Sequence, residues 1–178
     1  MEKKIDSEKI YSGRIIDVRK DTVETRSGLI TTREIVSHRG AAAMLAYEEK
    51  TDSIYLVRQF RYAVNDYLIE LPAGTLEEGE SPRDCALREL REETGIVAST
   101  VEQMTVLMPS PGYSDELIYL FLCSDFKYLE QSADDDENIE IMKLSVSSME
   151  YMIMDGTIKD AKTITAFLLW ARHFSQAC

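Results

Sequence analysis

The segment Gly74–Ile96, "GTLEEGESPRDCALRELREETGI", decides how this chain is read. It opens on a glycine and ends on Gly95 followed by an aliphatic residue. Ser81 is a helix N-cap candidate, Pro82 suits the first helical position, and Asp84 completes a Ser-x-x-Asp capping pattern. Gly95 is suited to stop the helix. On that helix Glu89, Glu92 and Glu93 stand at i, i+3 and i+4 and share one face, while Cys85, Ala86, Leu87 and Leu90 supply much of an apolar side. Like charges at this spacing cost a bare helix about a few tenths of a kcal/mol per pair. Glu92 and Glu93 also occupy the last turn, where the helix dipole disfavours anions. One account is a solvated acidic face, relieved in part by Arg88 and Arg91. The other is a divalent-cation site, since clustered carboxylate oxygens suit Mg²⁺ or Mn²⁺.

Upstream, "AAAMLAY" (41–47) and "SIYLVRQF" (53–60) predict core strands joined by the hairpin "EEKTD". "YLIELPAG" (67–74) predicts a short strand that stops at Pro72. Downstream, "VEQMTVLM" (101–108) and "ELIYLFLC" (116–123) predict strands around the loop "PSPGYSD". The acidic run "SADDDEN" (132–138) leads into a strand, "IEIMKLSV", and two helices follow, from about Ser148 to Met154 and from Ala161 to Phe174. Ahead of all this, Ile10–Ser37 is rich in Ile, Val and Thr and predicts two or three strands with a turn at Arg26–Gly28. Residues 1–39 therefore form an N-terminal β-segment, and residues 40–178 the main domain. A sheet that small is marginal alone, so it should pack on the rest of the chain or on a second subunit. Strands and helices mix without a regular βαβ alternation, which points to an α+β or α/β sandwich.

The chain has 178 residues and a net charge of −12, with 20 basic residues against 32 acidic ones. That balance argues against a nucleic-acid partner, which would demand a basic surface. An acidic protein still handles a small anion when metal cations sit between the two. There is no apolar run long enough to span a membrane and no apolar core behind the N-terminal lysines, so neither a membrane span nor a secretory signal is expected. Cys85, Cys123 and Cys178 lack metal-like spacing and fit idle thiols of a cytoplasmic protein.

Taken together, Gly74, Glu80, Arg88, Glu89, Leu90, Glu92, Glu93, Gly95 and Ile96 resemble the signature, or box, of the Nudix hydrolase family, Gly-x5-Glu-x7-Arg-Glu-U-x-Glu-Glu-x-Gly-U, with U a bulky aliphatic. Further stretches resemble its ADP-ribose pyrophosphatase branch: "VRQFRYAVNDYLIELPAG", "SPGYSDELIYLF" (with Pro111 or Pro109 as the branch's marker proline), "ADDDENIEIMKLS" and "DGTIKDAKTITAFLLW". The resemblance runs from about Arg33 to Trp170. It implies a Nudix-type α/β/α sandwich with a mixed sheet, preceded by a small N-terminal antiparallel sheet. It implies hydrolysis of ADP-ribose, or of a related nucleoside diphosphate sugar, to AMP and ribose 5-phosphate. The metal implied is Mg²⁺, with Mn²⁺ as the alternative, held by Glu89, Glu92, Glu93 and the carbonyl of Ala73. Glu80 and Arg88 are expected to brace loop and helix by a salt bridge. Arg61 and Arg33 are the candidates for contacting substrate. Glu137 in the acidic loop is the expected general base, with Glu140 the alternative and Glu92 next. The resemblance also points to a homodimer formed through the N-terminal strands. The rival readings are a pyrophosphatase for another nucleotide sugar such as GDP-mannose, and a noncatalytic ADP-ribose sensor, against which the intact glutamates argue. Tyr62, Tyr67 and Tyr113 either stack on a base or belong to the core, the commoner fate of aromatics. His38 and His173 have no supporting constellation.

Overall fold

The computed structural model describes residues 1–128 and 139–174. It divides into two compact units, one of Met1–Gly40 with Met108–Leu117, the other of Ala41–Leu107 with Ile118–Cys178. The first unit is a three-stranded antiparallel sheet of β1 (Lys3–Ser12), β2 (Ile16–Glu24) and β3 (Ile30–His38), in that order. The β2–β3 turn lies where the sequence places it: Thr25 N–H donates to Leu29 O (2.9 Å), and Gly28 takes the positive φ of 82° that the tight turn needs. The strand β1 begins at Lys3 rather than near Ile10, and all ten of its residues are exposed. Residues 109–115, which sequence pattern reads only as a loop, are bonded to β3. Val36 exchanges backbone hydrogen bonds with Tyr113 and Asp115, and the Asp115 carboxylate accepts from His38 N–H (3.0 Å) and Ser37 Oγ (2.9 Å).

In the second unit, β4 (Ala41–Glu48) and β5 (Ser53–Arg61) are joined by a single 3-10 turn (Glu49–Thr51). Then come β6 (Asp66–Glu70), β7 (Ala73–Thr75), α1 (Pro82–Thr94), β8 (Ile96–Leu107), β9 (Ile118–Tyr128), β10 (Glu140–Ser145), α2 (Val146–Met154) and α3 (Ala161–Phe174). The strands form one mixed sheet in the order β10-β5-β4-β9-β8, with β6 on β5 and β7 on β4. Only β4 and β9 run parallel among the described pairs. Pro72 lacks an N–H and separates β6 from β7, while its carbonyl accepts from Met44 N–H (3.0 Å).

Strand alternation in β4 builds both layers of core. Ala42, Met44 and Ala46 cluster with Cys85, Ala86 and Leu90 of α1 and with Phe121 and Cys123 of β9. Ala43 and Leu45 instead join Met149 of α2, Ala166, Phe167 and Trp170 of α3, and Leu120 and Leu122. The sheet is thus covered by α1 on one face and by α2 and α3 on the other, the α/β/α sandwich expected. Two boundaries differ from the sequence reading. β8 starts at Ile96, straight after the helix stop, and Val146 opens α2, because Ser145 caps it by accepting from Ser148 N–H (3.1 Å).

Candidate functional site

Helix α1 is built as its sequence dictates. Ser81 stands at the N-cap in an extended conformation and its hydroxyl accepts from Asp84 N–H (3.1 Å). Gly95 ends the helix at φ 71°, its N–H bonded to Arg91 O (2.8 Å). The buried stripe of Cys85, Ala86 and Leu90 fixes the rotation of the helix about its axis, and that rotation directs Glu89 and Glu93 toward the β7 strand. Glu93 is only 7% exposed, and its Oε2 accepts from Ala73 N–H (2.9 Å). Glu89 presses on Gly74: a methyl group there would meet Glu89 Oε1 at 1.8 Å. The box glycine is therefore a notch that receives a carboxylate.

Arg88 answers the repulsion among these acids. Its Nε and Nη2 bind both oxygens of Glu80 (2.9 and 3.0 Å), and its Nη1 reaches Glu89 (2.7 Å) and Glu92 (3.1 Å). The expected Glu80–Arg88 brace is present and bidentate, the strongest form of such a pair. Arg88, helped by the Glu77 N–H, holds the Glu80 carboxyl down at about 2, and Glu80 in turn raises the pKa of Arg88. Cys85 packs beneath, its thiol donating to Gly74 O (3.5 Å); burial first, then Glu80, pushes that thiol up to about 12, so it is not a nucleophile at neutral pH.

Among the described residues, no group of three or more His, Cys, Asp or Glu side chains converges as a metal cage. The three box glutamates instead meet protein donors: Arg88 for Glu89 and Glu92, and the Ala73 N–H for Glu93. The residues nonetheless fit a hard divalent cation. All the donors are oxygens, and the notch at Gly74 admits a carboxylate that any side chain would displace.

Arg61 closes β5 and docks on Glu70 through Nε (2.7 Å) and Nη2 (2.9 Å), a pair that raises its pKa. The charge of Glu93 also acts on Arg61. Arg33 lies in the first unit, where its guanidinium binds Glu2 (Nε–Oε2 3.1 Å) and the Thr32 carbonyl. Glu140 opens β10 opposite Arg58 and pairs with it (3.1 Å). Glu137 and Asp134–Asp136 lie outside the described residues. Tyr62, Tyr67 and Tyr113 do not belong to the core; all three are exposed, Tyr67 with the Arg58 guanidinium 4.1 Å over its ring. His38 is structural, its Nδ1 accepting from Gly40 N–H (3.1 Å), and His173 is exposed.

Sequence reading passes over Glu70, Lys162, Asp160 and Thr163, which join Arg61 in one polar cluster. No local signal marks the cluster: in a strand, an acid between Ile69 and Leu71 points to the face opposite both and reads as an ordinary solvated charge.

The NUDIX domain model matches residues 37–167, and the model of the nucleoside diphosphate sugar hydrolase N-terminal domain matches residues 2–36. ADP-ribose pyrophosphatase of Bacillus subtilis (strain 168) is 40% identical, over 93% of this chain and 90% of its own. Methanol dehydrogenase activator of Bacillus methanolicus is 38% identical over the same shares. GDP-mannose pyrophosphatase of Cronobacter sakazakii (strain ATCC BAA-894) is 35% identical, over 74% and 73%. A crystal structure of an ADP compounds hydrolase superposes with a TM-score of 0.82 over 97% of this chain and 95% of that one, at 20% identity, a likeness of fold.

Proposed function

We propose, from the premise that this chain belongs to the Nudix family, that it hydrolyses the diphosphate bond of ADP-ribose to AMP and ribose 5-phosphate with Mg²⁺. The observation that carries the reading is Glu89 seated in the Gly74 notch, with Glu93 tied to the Ala73 N–H beside it. Glu89, Glu92, Glu93 and the Ala73 carbonyl are the groups that would hold the cation. Once bound, a divalent cation stabilises charge on the phosphoryl oxygens and lowers the pKa of a water. Arg88 keeps two nitrogens on Glu80 whether or not its Nη1 releases Glu89 and Glu92, so the loop brace survives that release. Arg61 donates to the substrate diphosphate, a task its planar fork suits. Glu137 takes the proton of the attacking water, with Glu140 the alternative. Arg33 is the second proposed substrate contact.

A relative that is a GDP-mannose pyrophosphatase favours GDP-mannose as the second substrate reading. The test is a panel of ADP-ribose, GDP-mannose, UDP-glucose, NADH and dinucleoside polyphosphates with Mg²⁺, read as phosphate released after phosphatase treatment. ADP-ribose should give the highest kcat/KM; release from no member of the panel refutes catalysis and favours a sensor.

The same reading includes a cytoplasmic homodimer joined through residues 1–39. Its support is the apolar surface of that sheet, where Ile5, Ile10, Tyr11 and Ile30 are all more than half exposed. No helix among the described residues is long and apolar enough to cross a membrane. Light scattering should give twice the chain mass at micromolar concentration; a fully active monomer rules the dimer out.

A further inference from the structure

Glu70 ends β6 with only 2% of its surface exposed, so its charge must be met inside the protein. It is met twice: Arg61 takes both oxygens, and Lys162 Nζ also binds Oε2. Lys162 is itself 9% exposed and reaches back to Asp160 Oδ1 (3.1 Å). Asp160 precedes α3, and its Oδ2 accepts from Thr163 N–H (2.9 Å) and from Thr163 Oγ (2.6 Å). The Thr163 hydroxyl accepts from Leu71 N–H (2.9 Å), next in the chain to Glu70. The contacts thus close a ring, Glu70–Lys162–Asp160–Thr163–Leu71, which fastens the start of α3 to the connection between β6 and β7.

One cation would satisfy Glu70; the structure spends two. Arg61 keeps 41% of its side chain exposed, and among the described residues its Nη1 donates no hydrogen bond. The charges explain the second cation. Arg61, Lys162, Glu70 and Asp160 sum to zero, whereas without Lys162 the remaining three, the guanidinium included, would sum to one negative charge. Burial alone would push the Glu70 carboxyl up, and the Arg61 hydrogen bonds and the Lys162 charge hold it down at about 2, so it stays a full anion.

We infer that Lys162 is a positioning residue. By sharing Glu70 it fixes the plane on which Arg61 docks, and it keeps the cluster neutral rather than anionic, so that Arg61, whose Nη1 donates no hydrogen bond among the described residues, can bind an anionic diphosphate. This rests on the function proposed above. The step it serves is substrate binding, so its loss should appear in KM far more than in kcat.

The experiment compares Lys162→Met, Lys162→Arg and Asp160→Asn with wild type, for ADP-ribose with Mg²⁺. Lys162→Met leaves the cluster negative and should raise KM about tenfold, the size of losing one charge-assisted contact, with kcat within about threefold. Lys162→Arg should restore most of the loss. Asp160→Asn keeps a capping side chain at the start of α3 but leaves the cluster positive, so its KM should equal the wild-type value or fall below it. A purely structural role would instead raise KM, or lower kcat, in both Lys162→Met and Asp160→Asn. The inference is overturned if KM in Lys162→Met stays within twofold of wild type, or if KM rises in Asp160→Asn; the second result decides the matter should Lys162→Met fail to fold. A wild-type chain that cleaves no nucleoside diphosphate sugar refutes the functional reading instead. In that case the Arg61 Nε–H proton, observed by NMR, still tests the network: it should exchange faster in Lys162→Met, or in Lys162→Gln if the former does not fold, than in wild type, and an unchanged rate overturns the inference.

Discussion

Replacing Gly74 with alanine adds one methyl group at the point where β7 faces α1. Built on this backbone, the methyl carbon lies 1.8 Å from Glu89 Oε1 and 2.0 Å from its carboxyl carbon. Ordinary contact needs about 3.5 Å, so the carboxylate must retreat by more than about 1.5 Å. Metal–ligand distances tolerate only about 0.2 Å. The backbone itself accepts alanine, because Gly74 is absent from the residues with positive φ. The clash falls on the end of a flexible side chain, so the unfolding free energy should change by less than about 1 kcal/mol. What moves is Glu89, the proposed ligand: the Mg²⁺ concentration for half-maximal activity should rise about 10- to 100-fold, the range seen when a ligand loses its support. The assay is initial rate against Mg²⁺ at saturating ADP-ribose, beside thermal unfolding of the same samples. Because the methyl acts only through Glu89, Gly74→Ala added to Glu89→Ala should cost nothing further. A Mg²⁺ activation curve for Gly74→Ala that overlays wild type, or full additivity in the double variant, would refute the reasoning.

Glu93→Gln keeps an acceptor for the Ala73 N–H but loses the charge, and kcat should fall at least about a hundredfold; a near-wild-type kcat at saturating Mg²⁺ removes Glu93 from the principal ligands. Glu137→Gln should lower kcat by about 10² to 10⁴, with partial rescue as pH rises, while Glu140→Gln has a much smaller effect; kcat against pH for both reverses the assignment if Glu140→Gln is the crippled variant. Glu80 has its carboxyl at about 2 in the folded chain against an ordinary 4.5. Its ionised form is the one folding favours, so its contribution is complete above about pH 4.5 and disappears as pH falls toward about 2. Acid unfolding of Glu80→Gln should therefore be flatter than wild type across that window, and parallel curves would show that the brace adds nothing.

The box helix was legible almost to the residue because each of its signals is local: a cap at Ser81, proline at 82, glycine at 95. The strands β4 and β5 were equally plain, as apolar runs of strand length. What the sequence hid was non-local or unpatterned. β1 is exposed along its whole length, so "KKIDSEKIYS" shows no apolar alternation to read. The start of β8 was missed because "VASTVEQ" mixes polarity, and the strand carries register shifts between Ala98 and Thr100 and between Gln103 and Thr105, each of which breaks the period of two. Arg88, Glu89 and Glu92 meet through helix spacing, and the Glu80–Arg88 brace across loop and helix follows the family signature. The Glu70–Lys162 pair joins residues far apart in the chain, and neither partner alone distinguishes itself from an ordinary charge.

During synthesis, α1 leaves the ribosome with β4 and β5 already made, yet β4 must wait for its parallel partner until residues 118–123 emerge. The face bearing Ala42, Met44 and Ala46 has its helix early. The opposite face, with Ala43, Leu45, Ile54 and Leu56, is covered largely by residues made late, among them Met149, Ile158, Phe167 and Trp170. A nascent chain therefore carries an uncovered apolar sheet for most of its translation, the kind of surface that recruits chaperones or aggregates. Chains stopped before α2 should precipitate rather than persist as a truncated enzyme, and premature termination would remove the protein instead of leaving a partial activity behind.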